Sequence, residues 1–224
     1  MGKIIIEAKD LVKTYQNGKD RLVVLDNINI QIRENSITSI VGESGVGKST
    51  LLNVLSSLDV FDKGELNIEG NNIKNFSEKK LCSTRNSSIG FIFQFHHLLP
   101  DFNVRENILM PTWINKDYEK NKKADDLLKN FGLKKISHKY PNEISGGEKQ
   151  RVAILRSIIN DPKILFADEP SGNLDEKNSL KLIDLFESIN RNFGTAIVIT
   201  THNPHIANMG SDKYELKSKT LFER

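Results

Sequence analysis

The sequence predicts an α/β domain: a mixed sheet core carrying an antiparallel β subdomain and, inserted over about residues 95–160, a helical subdomain. Three observations support this. Short β-rich runs crowd the first third, a glycine-rich loop joins an apolar strand to an amphipathic helix, and a Lys- and Asn-rich helical stretch interrupts the strand–helix alternation before it resumes. A chain of 224 residues is enough for one large core, so 1–224 is read as a single domain without repeats or a linker.

Taken in order, residues 4–8, 22–25, 28–32 and 66–68 are β-rich and separated by turn residues, among them Asn17-Gly18 and Glu69-Gly70-Asn71, which favours antiparallel pairing. The run 36–41, with its β-rich part at 37–41, is read as apolar on both faces and enters the glycine-rich loop, as a buried parallel strand does. Residues 49–58 then place Leu51, Leu52, Val54, Leu55 and Leu58 at helical spacing. Lys, Asn and Asp dominate 115–135 around Leu127, Leu128 and Phe131, predicting helix with a solvated face. Residues 150–159 form another apolar-periodic helix, stopped by Asn160-Asp161-Pro162, while 89–93, 164–167 and 196–200 read as further buried strands.

Composition narrows the function classes. Lys plus Arg number 32 against 29 for Asp plus Glu, and the net charge of +3 is too small to imply nucleic-acid binding by bulk electrostatics. The uncharged stretch 86–100 falls short of the ~20 apolar residues of a membrane span, and the mean hydropathy is −0.41. The opening Met1-Gly2-Lys3-Ile4-Ile5-Ile6-Glu7 holds no signal-peptide core. Cys82, the sole cysteine, is expected to be a small packing residue in a reducing cytosolic setting.

The chemistry concentrates in a few motifs. Gly42-Glu43-Ser44-Gly45-Val46-Gly47-Lys48-Ser49 fits a phosphate-binding loop between strand and helix. Its glycines let backbone N–H groups turn onto an anion, Lys48 reaches the β and γ phosphates, and Ser49 can ligate Mg²⁺. The strand 164–167 runs into Asp168 and Glu169: Asp168 can hold Mg²⁺ through water opposite Ser49, and Glu169 can polarise a water for attack on the γ phosphate. A guanine-reading N-K-x-D segment is missing, since Asn115-Lys116-Asp117 places its acid one position early. Ser145 and Glu148 bracket Gly146-Gly147 as a helix-capping box. Capping does not call for paired glycines, which instead let an anion approach the N–H groups, so both uses are expected together.

In this order the motifs resemble the ATP-binding-cassette (ABC) family along nearly the whole chain. Ile144 to Gln150 is similar to the family signature, with Ile144 in place of the usual Leu and Glu148 in place of Gln; Leu155 and Ser157 replace small alanines behind it. The resemblance implies ATP hydrolysis with Mg²⁺ in a dimer that shares two ATP sites. It implies that Tyr15 stacks on adenine, that the loop from Gly42 through Ser49 with Thr50 binds ATP, and that Ser145, Gly146, Gly147 and Glu148 serve the other subunit's nucleotide. Asp175 would link the two sites, His202 would hold the γ phosphate, and Gln94 would sense Mg²⁺ and water. Ser49, Gln94 and, through water, Asp168 would hold the metal, with Glu169 as the base.

The segment Phe93-Gln94-Phe95-His96-His97-Leu98-Leu99-Pro100-Asp101-Phe102 is similar to the branch of the family that serves lipoprotein release from the bacterial inner membrane. The His96-His97 pair is not read as a metal site, because neighbouring side chains diverge. Leu98, Leu99 and Phe102 are expected to be exposed and to receive a partner's helix. The implied setting is peripheral, on the cytoplasmic face of that membrane. The implied partners are a second copy and integral LolC/LolE-like subunits that touch the lipoprotein, with no nucleic acid. The alternatives are a related exporter ATPase or a cell-division regulatory complex, and, less favoured, a soluble ABC ATPase on nucleic acid or ribosomes. The 120 positions from Lys48 to Asp168 hold no long coiled-coil insertion of the kind the last would carry.

Overall fold

The computed structural model describes residues 2–18, 20–172 and 176–224. β1 (Ile4–Asn17) and β2 (Asp20–Arg33) form a long antiparallel hairpin, interrupted by register shifts, one of them between Ala8 and Leu11. These shifts carry both strands past the β-rich runs visible in the sequence. β3 (Ile37–Val41) runs into the glycine-rich loop, and α1 (Lys48–Leu55) follows it. The helix stops at Leu55, so Leu58 falls outside the predicted apolar face and is 45% exposed.

β4 (Lys63–Ile68) pairs antiparallel with β1, and β5 (Asn71–Asn72) extends that sheet to the order β2-β1-β4-β5. Gly64 is required here: at φ +91 an added Cβ would lie 2.4 Å from the Asp10 carbonyl. α2 (Glu78–Ser88) buries little beyond Thr84, and it carries Cys82 on its exposed side. The expectation of a packed cysteine is therefore corrected: a helix this polar turns most of its surface to water.

β6 (Ile89–Ile92) leads through residues 93–103 to α3 (Val104–Ile114), α4 (Asn121–Asn130) and α5 (Gly146–Ile158). α3 opens with an Asn103–Glu106 capping box and tolerates Pro111 inside it. It packs on both α4 and α5. β7 (Ile164–Asp168), α6 (Glu176–Phe193), β8 (Ala196–Thr200), α7 (Pro204–Met209), β9 (Asp212–Lys217) and β10 (Thr220–Glu223) complete the chain.

The central sheet has the order β10-β9-β3-β8-β7-β6, parallel from β9 to β6 with β10 antiparallel at its edge. Strand alternation assigns its two faces to two cores. Leu165, Ala167, Ile197 and Ile199 point to a core shared with Ile108, Leu127, Val152 and Leu155 of the helical layer. Ile164, Phe166, Ala196 and Val198 point to the other, shared with Leu51, Leu52 and Leu55 of α1 and Ile6, Ile28 and Leu66 of the antiparallel sheet. Each fully buried Leu, Ile or Phe contributes roughly 1.5–3 kcal/mol of burial free energy, so the sheet is held from both sides.

Candidate active site

The carboxyl ends of β3, β8 and β7 lie side by side, and the loops that leave them meet there. After β3 the chain folds back so that the carbonyls of Gly42 and Glu43 accept hydrogen bonds from Lys48 Nζ at 2.9 and 3.0 Å. Gly47 precedes α1 at φ +111, where a Cβ would sit 2.9 Å from Val24 Cγ1. No side chain caps α1 and its first turn has no acid, so its leading N–H groups and positive dipole end face the loop's mouth.

Two acids leave β7 in different directions. Asp168 accepts a hydrogen bond from the buried Thr200 Oγ1 at 2.7 Å. Glu169 adopts φ +43, a left-handed conformation that a residue with a Cβ holds only under constraint. The constraint is visible: its N–H donates to the Thr200 carbonyl at 3.0 Å, and its own carbonyl accepts from Gly172 at 3.0 Å. The turn aims the carboxylate inward. Oε1 lies 3.3 Å from Lys48 Nζ, while Oε2 lies 2.8 Å from His202 Nδ1 and accepts the His202 N–H at 3.2 Å. The Lys48 and Glu169 side chains are only 7% and 12% exposed, whereas the His202 ring is largely in solvent.

Ser44, Gly45, Gly47, Lys48, Ser49, Thr50, Gln94, Glu169 and His202 line one hollow of about 500 Å³. Val24 joins them from β2, and nothing in a strand valine marked it beforehand. Gly42 and Glu43 act from behind through their carbonyls, and Val46 packs against the α1-side core. The oxygens of Ser49, Asp168 and the Gln94 amide are the hard donors that Mg²⁺ prefers, so the residues present fit that ion.

Tyr15 lies apart from this hollow. Its hydroxyl donates to Asp59 Oδ2 at 2.6 Å, Lys13 Nζ stands 4.6 Å from its ring centre, and its ring lines a separate depression of about 690 Å³. Thr50, which lines the first hollow, lies beside the same hydroxyl, which makes the two hollows neighbours. Burial and the bond to Asp59 push the Tyr15 hydroxyl above its ordinary pKa.

Ser145, Gly146, Gly147 and Glu148 do not line the 500 Å³ hollow. Glu148 Oε2 accepts from the Ser145 N–H and from its hydroxyl, both at 2.8 Å, and the returning Glu148 N–H bond to Ser145 Oγ is 3.4 Å. The backbone and side-chain bonds from Ser145 hold the Glu148 carboxyl below its ordinary pKa. A Cβ added at Gly146 or Gly147 would meet nothing within 4 Å. Gly147 borders a different cavity of about 330 Å³, beside Phe131, Leu182 and Leu185. Asp175 lies outside the described residues.

Between β6 and α3 the structure corrects one expectation. Leu98, Leu99 and Phe102 are half-buried: Leu98 packs on the helical-layer core, and the Phe102 ring centre is 5.8 Å from Trp113. The fully buried Asn107 causes this. Its Nδ2 donates to the carbonyls of Leu99, Phe102 and Asn103, and its Oδ1 accepts the Leu99 N–H at 2.8 Å. The exposed apolar residue is Phe95, at 65%. Among the described residues no group of three His, Cys, Asp or Glu is placed to hold a metal ion, His96 and His97 included.

The ABC transporter family pattern matches residues 25–172. The lipoprotein-releasing system ATP-binding protein LolD of Wigglesworthia glossinidia brevipalpis is 44% identical over 224 residues, spanning 99% of this chain and 97% of that protein. LolD of Cytophaga hutchinsonii is 46% identical, with 97% and 98% covered. Among solved structures, the dimeric post-hydrolysis state of the ATP-binding cassette MJ0796 bound to ADP and Pi superposes with a TM-score of 0.89 at 34% identity, over 98% of this chain and 97% of that one. The cbiO1 protein from Clostridium perfringens, part of the ABC transporter complex cbiONQ, gives 0.86 at 27% identity, over 98% and 87%.

Proposed function

This chain belongs to the ABC transporter family of nucleotide-binding, ATP-hydrolysing cassettes, and we propose that it drives lipoprotein release from a bacterial inner membrane. One observation carries the chemistry: the Glu169 carboxylate, held between Lys48 and His202 at the mouth of the phosphate loop. In this reading the loop N–H groups and Lys48 take the β and γ phosphates, and Lys48 offsets charge that builds on them during transfer. Glu169 accepts a proton from the attacking water while His202 steadies that water and the γ phosphate. Bound Mg²⁺, held by Ser49, Gln94 and, through water, Asp168, would neutralise phosphate charge.

The Ser145-Gly146-Gly147 end of α5 then acts on the nucleotide of a second copy, with Glu148 supporting it and Asp175 linking the sites. Two facts support this. The four signature residues stand away from their own chain's phosphate hollow, and the two glycines answer no packing need within the chain. We read 1–224 as one ATP-binding domain with its helical subdomain at about 95–160. It sits peripherally on the cytoplasmic face against integral LolC/LolE-like subunits, without nucleic acid. Among the described residues no helix is long and apolar enough to cross a membrane. The substrate assignment is supported by the near-full-length match to LolD proteins.

The test is reconstitution. The chain is co-purified from detergent-solubilised membranes, its integral partner identified, and ATP-dependent lipoprotein release measured from vesicles containing both. A partner that exports another substrate would overturn lipoprotein release and leave the ATPase reading standing.

A further inference from the structure

Gln94 leaves β6 into a segment that the helical layer grips at two places. Asn107 on α3 holds the stretch 99–103, as described above. The second grip comes from α5. Arg156 donates from Nη1 to the His97 carbonyl at 2.7 Å and from Nη2 to the His96 carbonyl at 2.8 Å. Two successive carbonyls converge on one planar guanidinium because the chain turns at His97, whose φ is +44. Phe93 closes that turn from inside, its ring 5.1 Å from the His97 ring in an edge-on arrangement. Arg156 stands about three helical turns from Ser145 on the same helix. A hydrogen-bonded path therefore runs from the signature end of α5 to the backbone beside Gln94.

Resting on the ATPase reading above, we propose that Arg156 is a positioning residue for hydrolysis: its two-pronged hold on His96 and His97 fixes Gln94 relative to α5. The phosphate hollow and the Ser145-Gly146-Gly147 end then respond to nucleotide as one body. Arg156 does not line the phosphate hollow, so it acts through Gln94 rather than on ATP. The residue type suits the task. A guanidinium presents several donors in a fixed fork, whereas a lysine ammonium is a compact point charge on a flexible stem.

Trp113, the chain's single tryptophan, sits against Phe102 in the gripped segment and reports its movement by fluorescence. The experiment compares wild type, Arg156→Lys and Arg156→Ala, each assembled with the membrane partner. We expect KM for ATP within about twofold of wild type and kcat lowered ~10- to 100-fold, since a small misplacement at a distance from the chemistry has costs of this size. Arg156→Lys should recover only part of the loss. Addition of MgATP should change Trp113 emission in the wild type and leave it unchanged in Arg156→Ala. Normal kcat in both folded variants would overturn the proposal, as would full rescue by lysine or a wild-type Trp113 response in Arg156→Ala. If the alanine variant does not fold, the kcat, KM and fluorescence of Arg156→Lys decide by the same criteria. A wild-type assembly that hydrolyses no ATP would overturn the proposed function itself; normal hydrolysis in all three would overturn Arg156 alone.

Discussion

The phosphate loop and the start of α5 are both glycine-rich helix entrances, yet they are built to opposite rules. Around the loop the polar groups already engage one another: Lys48 is held by two carbonyls and Glu169, and Glu169 by His202. Two of its glycines are required sterically, Gly47 by Val24 and Gly42 by the Leu216 carbonyl, which an added Cβ would approach to 2.6 Å, and the third, Gly45, is held at φ +78 in open space. At α5 the capping box satisfies the helix, and a Cβ added at either glycine beside it would meet nothing within 4 Å. The first entrance is preorganised by its own chain. The second leaves open space, which the proposed second copy's nucleotide would fill.

Glu169→Gln probes the first entrance and should have the largest effect. The amide keeps the shape and the His202 contact but loses the base, so turnover should fall ~10²- to 10⁴-fold while MgATP still binds and an ATP-bound dimer accumulates. Steady-state assays with size-exclusion chromatography check this, and near-normal turnover would remove Glu169 from the base role.

The second entrance is tested by Gly147→Asp. An acid in the first turn of a helix is favoured by about 0.3–1 kcal/mol, and glycine is a poor helix former, so the isolated chain should melt no lower than wild type. The same charge beside a partner's γ phosphate should abolish ATP-driven dimerisation. A lower melting temperature with dimerisation intact would return the glycines to a purely local role.

A smaller change is expected at Phe95→Ala, which should leave melting unchanged and weaken assembly with the membrane partner by ~2 kcal/mol if the ring is a central anchor. Leu98→Ala makes the control, since it packs on a core and should lower melting instead. Pull-down affinities set beside melting curves would separate the two; unchanged assembly in Phe95→Ala would refute the anchor.

The smallest effect belongs to the capping box. Glu148 binds its proton less readily folded than unfolded, so its contribution is present above the ordinary carboxylate value of 4.5 and lost as pH falls through the lower folded one. For a solvent-screened group this should be under about 1 kcal/mol. Melting curves from about pH 6 to pH 3 should show a slightly steeper loss in wild type than in Ser145→Ala. Identical slopes would mean that the box adds nothing.

Much of the fold was legible in the sequence because its strongest signals are local. The runs 37–41 and 196–200 coincide with β3 and β8, where β-branched and apolar residues dominate and even Thr38, Ser39 and Thr200 are buried. The turn from Gly42 to Lys48 between β3 and α1 was legible because its spacing is tied to backbone geometry. What escaped depends on tertiary contacts. β1 and β2 continue through bulges that break alternation, and α3 accommodates Pro111 in its interior. Leu98, Leu99 and Phe102 read as exposed because a single buried asparagine, Asn107, draws their backbone inward, and no pattern of hydrophobicity records that. Cys82 misled for the opposite reason: a residue type that is usually buried sits on a helix with little to bury. Val24 enters the hollow by adjacency alone.

The alternation in β7 and β8 also partitions how the protein can change over generations. Leu165 and Ile197 are the bed for the helical layer, while Phe166 and Val198, their immediate neighbours in sequence, are the bed for α1 and the loop it begins. A volume-conserving exchange at a residue of the first set is absorbed on one side of the sheet, and packing on the other side keeps its shape. A lineage can thus repack the helical layer through one parity of these strands while the bed beneath α1 and the loop before it is inherited unchanged through the other.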